Sequence, residues 1–395
     1  MKKIKMKKIA VYVGSRANYS SAKPIMKHIQ NHKDLELSIV LSAAAVLPRF
    51  GDLTGLMRED GFEPDVISGT LVEGENPVSM AKSIGLGMID HSISLERLSP
   101  DCVVAVGDRF DVLPWVVSAA MMNIPIAHTM GGERTGTIDE SIRHAITKFA
   151  NIHFPANIDS ANRIIKMGED PSSVHVVGCP RNDYVLECLE NIKNGNSIPS
   201  SEIFEKYKGV GIKFDLEAEE FLLVSFHPVT TEFGLNKSHI RELLAALSQI
   251  KMKTIMIWPN ADAGSDEISK EIRILRESGN CDWLHLFINL PIDIYVQLMN
   301  KCVCMIGNSS SAIREGELIG VPAVNVGSRQ NMRLKGRNII DVDVNSNDIV
   351  VAIQKQIKHG QYRTEFIYGS GDAGEKIANV LSQTKLLTTQ KINSY

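Results

Sequence analysis

Short β-rich runs alternate with longer amphipathic stretches along most of this chain, and that alternation leaves few folds open. Candidate strands are Ile9–Val13, Leu37–Leu41, Cys102–Val106, Pro125–Thr129 and Val174–Val177, resuming at Phe221–Phe226, Thr254–Trp258, Trp283–Leu286, Val303–Ile306 and Ala323–Val326. Helical periodicity fills the gaps, as in Val78–Leu98, Val112–Met122, Ile142–Ala150, His239–Ile250 and Glu267–Glu277. Strand, helix, strand in this rhythm predicts parallel sheets with helices on both faces.

Length sets the number of sheets. Single cores stop growing near roughly 250 residues, and the chain has 395, so two domains and a cleft are expected. The rhythm breaks between about Asn182 and Glu220, where the polar run Asn191–Ser197 interrupts it, which marks a domain boundary. The reading is α/β: two Rossmann-like doubly wound domains facing a cleft, residues 1–185 and 221–373, with a linker region at 186–220. Residues 374–395 hold a last helical stretch, Glu375–Leu387, a candidate to cross back to the first domain. Ligands of such sheets bind at the carboxyl ends of the strands, so functional residues should follow strand ends.

Charge and cysteine usage exclude several classes. With 43 Lys+Arg against 46 Asp+Glu, a net charge of -3, no global field favours nucleic acid or an acidic membrane surface. No stretch approaches the roughly 18 apolar residues of a membrane span. The basic start, Met1–Lys8, is followed only by the short run Ile9–Val13, which reads as a strand rather than a signal segment. The six cysteines are scattered with no C-x-x-C pair, which predicts a cytoplasmic protein with reduced thiols.

The strand ends carry the chemistry. Gly14-Ser15-Arg16 follows the first strand; it reads equally as an anion-binding turn and as a plain strand-to-helix turn. Gly107-Asp108-Arg109-Phe110-Asp111 follows the strand at Val106, where Asp108 is either a preorganised acid/base or a helix cap. The next strand runs into Met130-Gly131-Gly132-Glu133 and on to Asp139. Three carboxylates at one edge, Asp108, Glu133 and Asp139, would repel one another and raise at least one pKa. Glu140 and His144, four apart, read as a helix-surface pair rather than metal ligands. In the second half, His227-Pro228-Val229-Thr230-Thr231 and Asn260-Ala261-Asp262 follow strands. Gly307-Asn308-Ser309-Ser310-Ser311 opens a helix with Glu315 one turn inside. Small hydroxyl residues there offer donors to a pyrophosphate, and the Glu can accept both hydroxyls of a ribose; a capped helix with a favoured acid is the structural alternative. Gly369–Gly374 fits G-x-G-x-x-G but precedes no βαβ unit, and no P-loop or G-x-S-x-G sequence occurs.

Taken together, seven ordered motifs resemble the hydrolysing UDP-N-acetylglucosamine 2-epimerases of sialic- and legionaminic-acid pathways. They are Gly107–Asp111, His128-x-x-Gly131-Gly132-Glu133-x-x-Gly136-Thr137-Ile138-Asp139, Arg143–Lys148, His227–Thr231, Asp262–Ser265, Gly307–Ser310 and Gly327-Ser328-Arg329-Gln330. The resemblance spans Gly14 to about Gly374. It implies a glycosyltransferase-B type fold with UDP held mainly by the second domain. It assigns Asp108 and Asp139, joined by Glu133 and His227, to the catalytic set, and Arg16, Arg109, Asn260, Asp262, Ser309, Ser310, Glu315 and Arg329 to the UDP-sugar, with His227 also touching the nucleotide. The implied chemistry is loss of the C2 proton with anti departure of UDP, then addition of water; it requires no metal or other cofactor. The implied partner is a UDP-activated N-acetylated amino sugar, and the implied assembly a homo-oligomer.

Two positions depart from the family pattern. Met130 stands where many members carry Glu, and Ser42–Gly51 lacks a His often found before the F/Y-G-x-T loop. Substrates compatible with these motifs are UDP-N-acetylglucosamine and UDP-N,N'-diacetylbacillosamine. A UDP-sugar sensor without activity, a glycosyltransferase of like fold and a non-hydrolysing epimerase are the alternatives.

Overall fold

Six strands make the first sheet: β1 Lys7–Val13, β2 Leu35–Leu41, β3 Val66–Ile67, β4 Cys102–Val106, β5 Ile126–Thr129 and β6 Ile152–Phe154. Their spatial order, β3-β2-β1-β4-β5-β6, is parallel throughout. Seven more make the second: β7 Gly209–Gly211, β8 Leu222–Ser225, β9 Thr254–Ile257, β10 Leu284–Phe287, β11 Cys304–Gly307, β12 Ala323–Val326 and β13 Ile339–Val342. They lie in the order β13-β12-β11-β8-β9-β10-β7. Only β7 runs antiparallel, along the edge beside β10. Each sheet therefore has the doubly wound order about a central switch point, β1/β4 in the first and β8/β11 in the second. The protein is a computed structural model in which residues 6–48, 53–74, 76–207, 209–260, 262–385 and 391–392 are described. Residues 49–51 of the Ser42–Gly51 loop fall outside the described residues.

The central strands form because they are apolar on both faces. Every residue of β4, β8, β11 and β12 is buried, as a parallel strand covered by helices on both sides demands. Each such Val, Ile or Leu contributes about 1.5–3 kcal/mol over an exposed one. Helix Pro77–Leu98 starts where Asn76 and Ser79 cap each other reciprocally and Pro77 opens the first turn. In helix Arg16–Gln30, Ser15 accepts the Asn18 N–H at 3.2 Å.

Two sequence expectations are corrected. Val174–Val177 is not a strand: only Val174 bridges to His153, and the segment lies along β6, itself three residues long, with Val176 exposed. The linker expected at 186–220 is structured, since helix Pro180–Lys193 runs through its start and buries Val185 and Cys188 in the second sheet's core. Helix Ser200–Lys206 and β7 follow. Helix Ala373–Gln383 packs Ile377, Ala378 and Leu381 into the first sheet's core beside Ile25 and Ile29 of helix Arg16–Gln30. The Lys7 ammonium donates to the carbonyls of Leu381 (3.0 Å), Ser382 (2.6 Å) and Thr384 (2.7 Å). Residues 386–387 of the expected last helix lie outside the described residues.

Candidate active site

The carboxyl ends of both sheets meet across a cleft closed by charge. Arg109, just past β4, donates to Asp262 of the second sheet's edge at 3.0 Å, and its Nε donates to Asp111 at 3.0 Å. Glu133 of the loop after β5 accepts at Oε2 from Arg314 and Arg333, both at 2.6 Å. Arg181 donates to Glu315 at 2.8 Å. The backbone joins in, with the Gly136 N–H on the carbonyl of Arg329 at 3.1 Å. Between these crossings lies a cavity of about 60 Å³ walled by Asp108, Thr135, Thr137, Asp139, Ser310, Arg314, Arg329, Gln330 and Arg333. Ligand pockets usually measure roughly 300–1,000 Å³, larger than this cavity.

Two carboxyls on that wall are held in opposite states. Burial disfavours the Asp108 carboxylate, but Arg143, Arg314 and Arg333 outweigh it and hold the group well below the usual range. Arg143 grips it directly through Nε at 2.9 Å and through Nη2. Asp139 is pushed up to about 6 by burial first and then by the charges of Asp108 and Asp262, against the partial opposition of Arg329 and Arg109. Its Oδ2 accepts the Thr137 hydroxyl at 3.0 Å. Paired titratable groups driven apart by environment are a recurring arrangement for acid and base roles.

The glycines fix where these groups stand. Gly132 has φ +73°, and a Cβ there would strike the Ser160 carbonyl, so only glycine carries the chain from β5 round to Glu133. Gly307, at φ +133°, would drive a Cβ into the Ser225 carbonyl; its lack of side chain lets Asn308 reach back. The Asn308 side chain then brackets His227, accepting its backbone N–H at 2.7 Å and donating to its carbonyl at 2.8 Å. His227 Nδ1 accepts the Asn260 N–H at 3.3 Å, which leaves Nε2 facing the Ser225 hydroxyl at 3.2 Å. Burial, with Arg329 and Arg109 outweighing Asp262, lowers the imidazole to about 3 and keeps it neutral.

Of the residues read from sequence, Asp108, Asp139, Ser310 and Arg329 wall the cavity. Arg16, Arg109, His227, Asn260, Asp262, Ser309 and Glu315 stand outside it. Arg16 begins helix Arg16–Gln30. Asn260 donates to Asp262 at 2.6 Å, and Ser309 shares a hydrogen bond with Ser311 at 2.9 Å. Asp262 is kept ionised: burial opposes its charge, and Arg109 and Arg329 overcome it. Glu315 is fully buried and its Oε2 has no hydrogen-bond partner among the described residues. Glu133 also stands outside the cavity, its carboxyl held low because Arg314, Arg333 and Arg143 outweigh burial. Met130 faces the core: it is buried at φ +59°, and its sulfur accepts the Cys179 thiol at 3.7 Å. Glu140 and His144 pair at 3.0 Å on their helix.

Sequence reasoning missed Arg143, Arg314 and Arg333 as site residues. A signal was present: helix Ser311–Ile319 carries Arg314, Glu315 and Glu317 and is buried at every position, and buried charges need partners.

A sequence profile of the family described as UDP-N-acetylglucosamine 2-epimerase matches residues 27–382. The chain belongs to that family. Among individual relatives, the UDP-N-acetylglucosamine 2-epimerase of Neisseria meningitidis serogroup B is 30% identical over 95% of both chains. The GDP/UDP-N,N'-diacetylbacillosamine 2-epimerase (hydrolyzing) of Campylobacter jejuni is 32% identical over 87% of this chain and 86% of its own. The fold is that of the epimerase crystal structure from Neisseria meningitidis bound to UDP-GlcNAc, with TM-score 0.78 at 17% identity, covering 96% of this chain and 100% of that one. In epimerase terms, both doubly wound halves and the cleft between them are those of the glycosyltransferase-B type. No helix among the described residues of this family member is long and apolar enough to cross a membrane.

Proposed function

We propose that the protein is a hydrolysing 2-epimerase that takes a UDP-activated N-acetylamino sugar and water to UDP and the free 2-epimeric sugar. The observation that carries this reading is the pair Asp108 and Asp139, one ionised and one holding its proton to about pH 6, lining one cavity together with Ser310, Arg314, Arg329 and Arg333. Asp108 takes the C2 proton; the C–H electrons become the C1=C2 bond, and the C1–O bond breaks toward the diphosphate. Arg329, Arg314 and Arg333 stabilise the charge that develops on the leaving oxygen. Water then adds its oxygen to C1 while Asp139 protonates C2 from the opposite face. Asp139 recovers a proton from that water, and the proton left on Asp108 goes to solvent. Ser309, Ser310 and the free Oε2 of Glu315 suit a pyrophosphate and a ribose diol.

We assign UDP-N-acetylglucosamine as substrate, giving N-acetylmannosamine. A second reading, the same reaction on UDP-N,N'-diacetylbacillosamine, is favoured by the Campylobacter jejuni relative and by an apolar Met130 in place of Glu. Incubation with each UDP-sugar, with UDP release followed by a coupled assay and the freed sugar identified by NMR, decides between them. UDP release without any acceptor supports the hydrolysing reading. No release from either sugar would sink it in favour of a binding protein or a transferase.

A further inference from the structure

Glu133 is tied by different atoms to both halves of the site. Its Oε2 holds Arg314 and Arg333, which come from the second sheet's helix Ser311–Ile319 and the loop after β12. Its backbone carbonyl accepts Arg143 Nη1 at 2.8 Å, and Arg143 in turn grips Asp108. Arg143 is braced further by Glu140 at 2.9 Å and by the Thr135 hydroxyl at 3.1 Å. Asp108, Arg314 and Arg333 all face the cavity, whereas Glu133 does not. All three arginines are buried, and a buried cation without its counter-charge is costly. The loop runs close to helix Ile158–Lys166, where a Cβ on Gly132 would meet the Ser160 carbonyl.

We propose that Glu133 is a positioning residue that sets Arg314 and Arg333 against the cavity and, through Arg143, aims Asp108, without itself exchanging a proton with the sugar. This rests on the epimerase reading above. What separates it from Asp108 is place: Asp108 lines the cavity, whereas the Glu133 carboxylate lies outside it with Oε2 taken up by two guanidiniums at 2.6 Å, out of the hydrogen-bond reach that proton transfer needs. What it supplies is geometry: two cations fixed where negative charge appears on the diphosphate, in register with the base across the cleft. Displacing such groups by about 1 Å costs on the order of 100-fold in rate.

The test is a double-mutant cycle with Glu133→Gln and Arg333→Met, read on kcat for UDP release and on UDP affinity by calorimetry, with Glu133→Asp as the conservative variant. Acting through the arginines, Glu133→Gln lowers kcat by about 100-fold, Glu133→Asp restores part of it, and the double variant is no slower than the slower single one, since residues in one network are not additive. The kcat/KM limb belonging to Asp139 persists in Glu133→Gln. Losses that multiply in the double variant, or disappearance of that limb in Glu133→Gln, would show that Glu133 transfers the proton and overturn the proposal. Melting temperatures of all variants separate a lost fold from a lost alignment, and the double variant leaves one fewer unpaired cation than Glu133→Gln alone. If the wild type releases no UDP, the epimerase reading fails and the cycle is read on UDP affinity, where non-additive losses support the clamp and multiplying losses overturn it.

Discussion

Asp108 and Asp139 are chemically the same residue, and their surroundings make them different reagents. Three arginines surround the first; the second has the first and Asp262 as neighbours. Asp139→Asn should lower kcat by about 10²- to 10⁴-fold, the usual contribution of a positioned proton donor. Its effect on stability has the opposite sign. An unfolded Asp titrates near roughly 3.9 and the folded one at about 6, so the folded state binds more protons between these values. Stability is then lost as pH rises through that window and stays lower above it. The Asn variant should melt higher than wild type at about pH 7.5, with the advantage gone by about pH 4; a lower melting point at neutral pH would contradict the raised carboxyl. If Asp139 acts as the acid, kcat/KM falls as pH rises through about 6, and the limb in kcat lies higher because the bound diphosphate adds negative charge. A limb that rises with pH there would make Asp139 the base instead. Glu315→Ala should weaken UDP itself by about 10- to 100-fold, the worth of hydrogen bonds to a charged acceptor. Unchanged UDP affinity by calorimetry would remove Glu315 from the ribose site.

At the scale of elements, the turns leaving β5 and β11 matter more than the helices they lead to. Gly132→Ala would place a Cβ on the Ser160 carbonyl in a left-handed backbone, at a cost of about 1–3 kcal/mol for the conformation alone. We expect a lower melting temperature and a displaced Glu133, read as weaker UDP release; a variant indistinguishable from wild type would mean the loop has slack. The central strands were legible because parallel strands buried on both faces are unbroken apolar runs, as at Cys102–Val106 and Ala323–Val326. β3 with two residues, β6 with three and the glycine-bounded edge β7 are too short to show any period. Val174–Val177 has strand composition but lies beside a three-residue partner. Asp108 and Ser310 could be found because strand ends announce them. Which carboxylate holds Arg314 and Arg333 could not be found, because Glu133 is 181 and 200 residues away from them in sequence, and only the meeting of the two sheets' edges brings the three together.

For the whole molecule, one surface stands out. Helix Pro77–Leu98 exposes Val78, Ile89 and Ile93 at 63%, 66% and 61%, on one outer face by helical spacing, Ile89 and Ile93 adjacent and Val78 about three turns away. Large apolar side chains gathered in water mark interaction surfaces more often than chance, and a homo-oligomer expected from the family resemblance would cover them. Ile89→Lys with Ile93→Lys should convert that oligomer to monomer by light scattering while leaving UDP affinity intact; a wild type that is already monomeric would defeat the expectation. Finally, because helix Ala373–Gln383 completes the packing around Ile25 and Ile29, the order of synthesis and the order of folding cannot coincide. A nascent chain halted before Ala373 presents an unfinished apolar face on helix Arg16–Gln30, even with the second sheet's strands already outside the ribosome. Limited proteolysis of such halted chains should cut within Arg16–Gln30 until helix Ala373–Gln383 emerges, making a segment synthesised long before that helix among the last to become safe from proteases and chaperones.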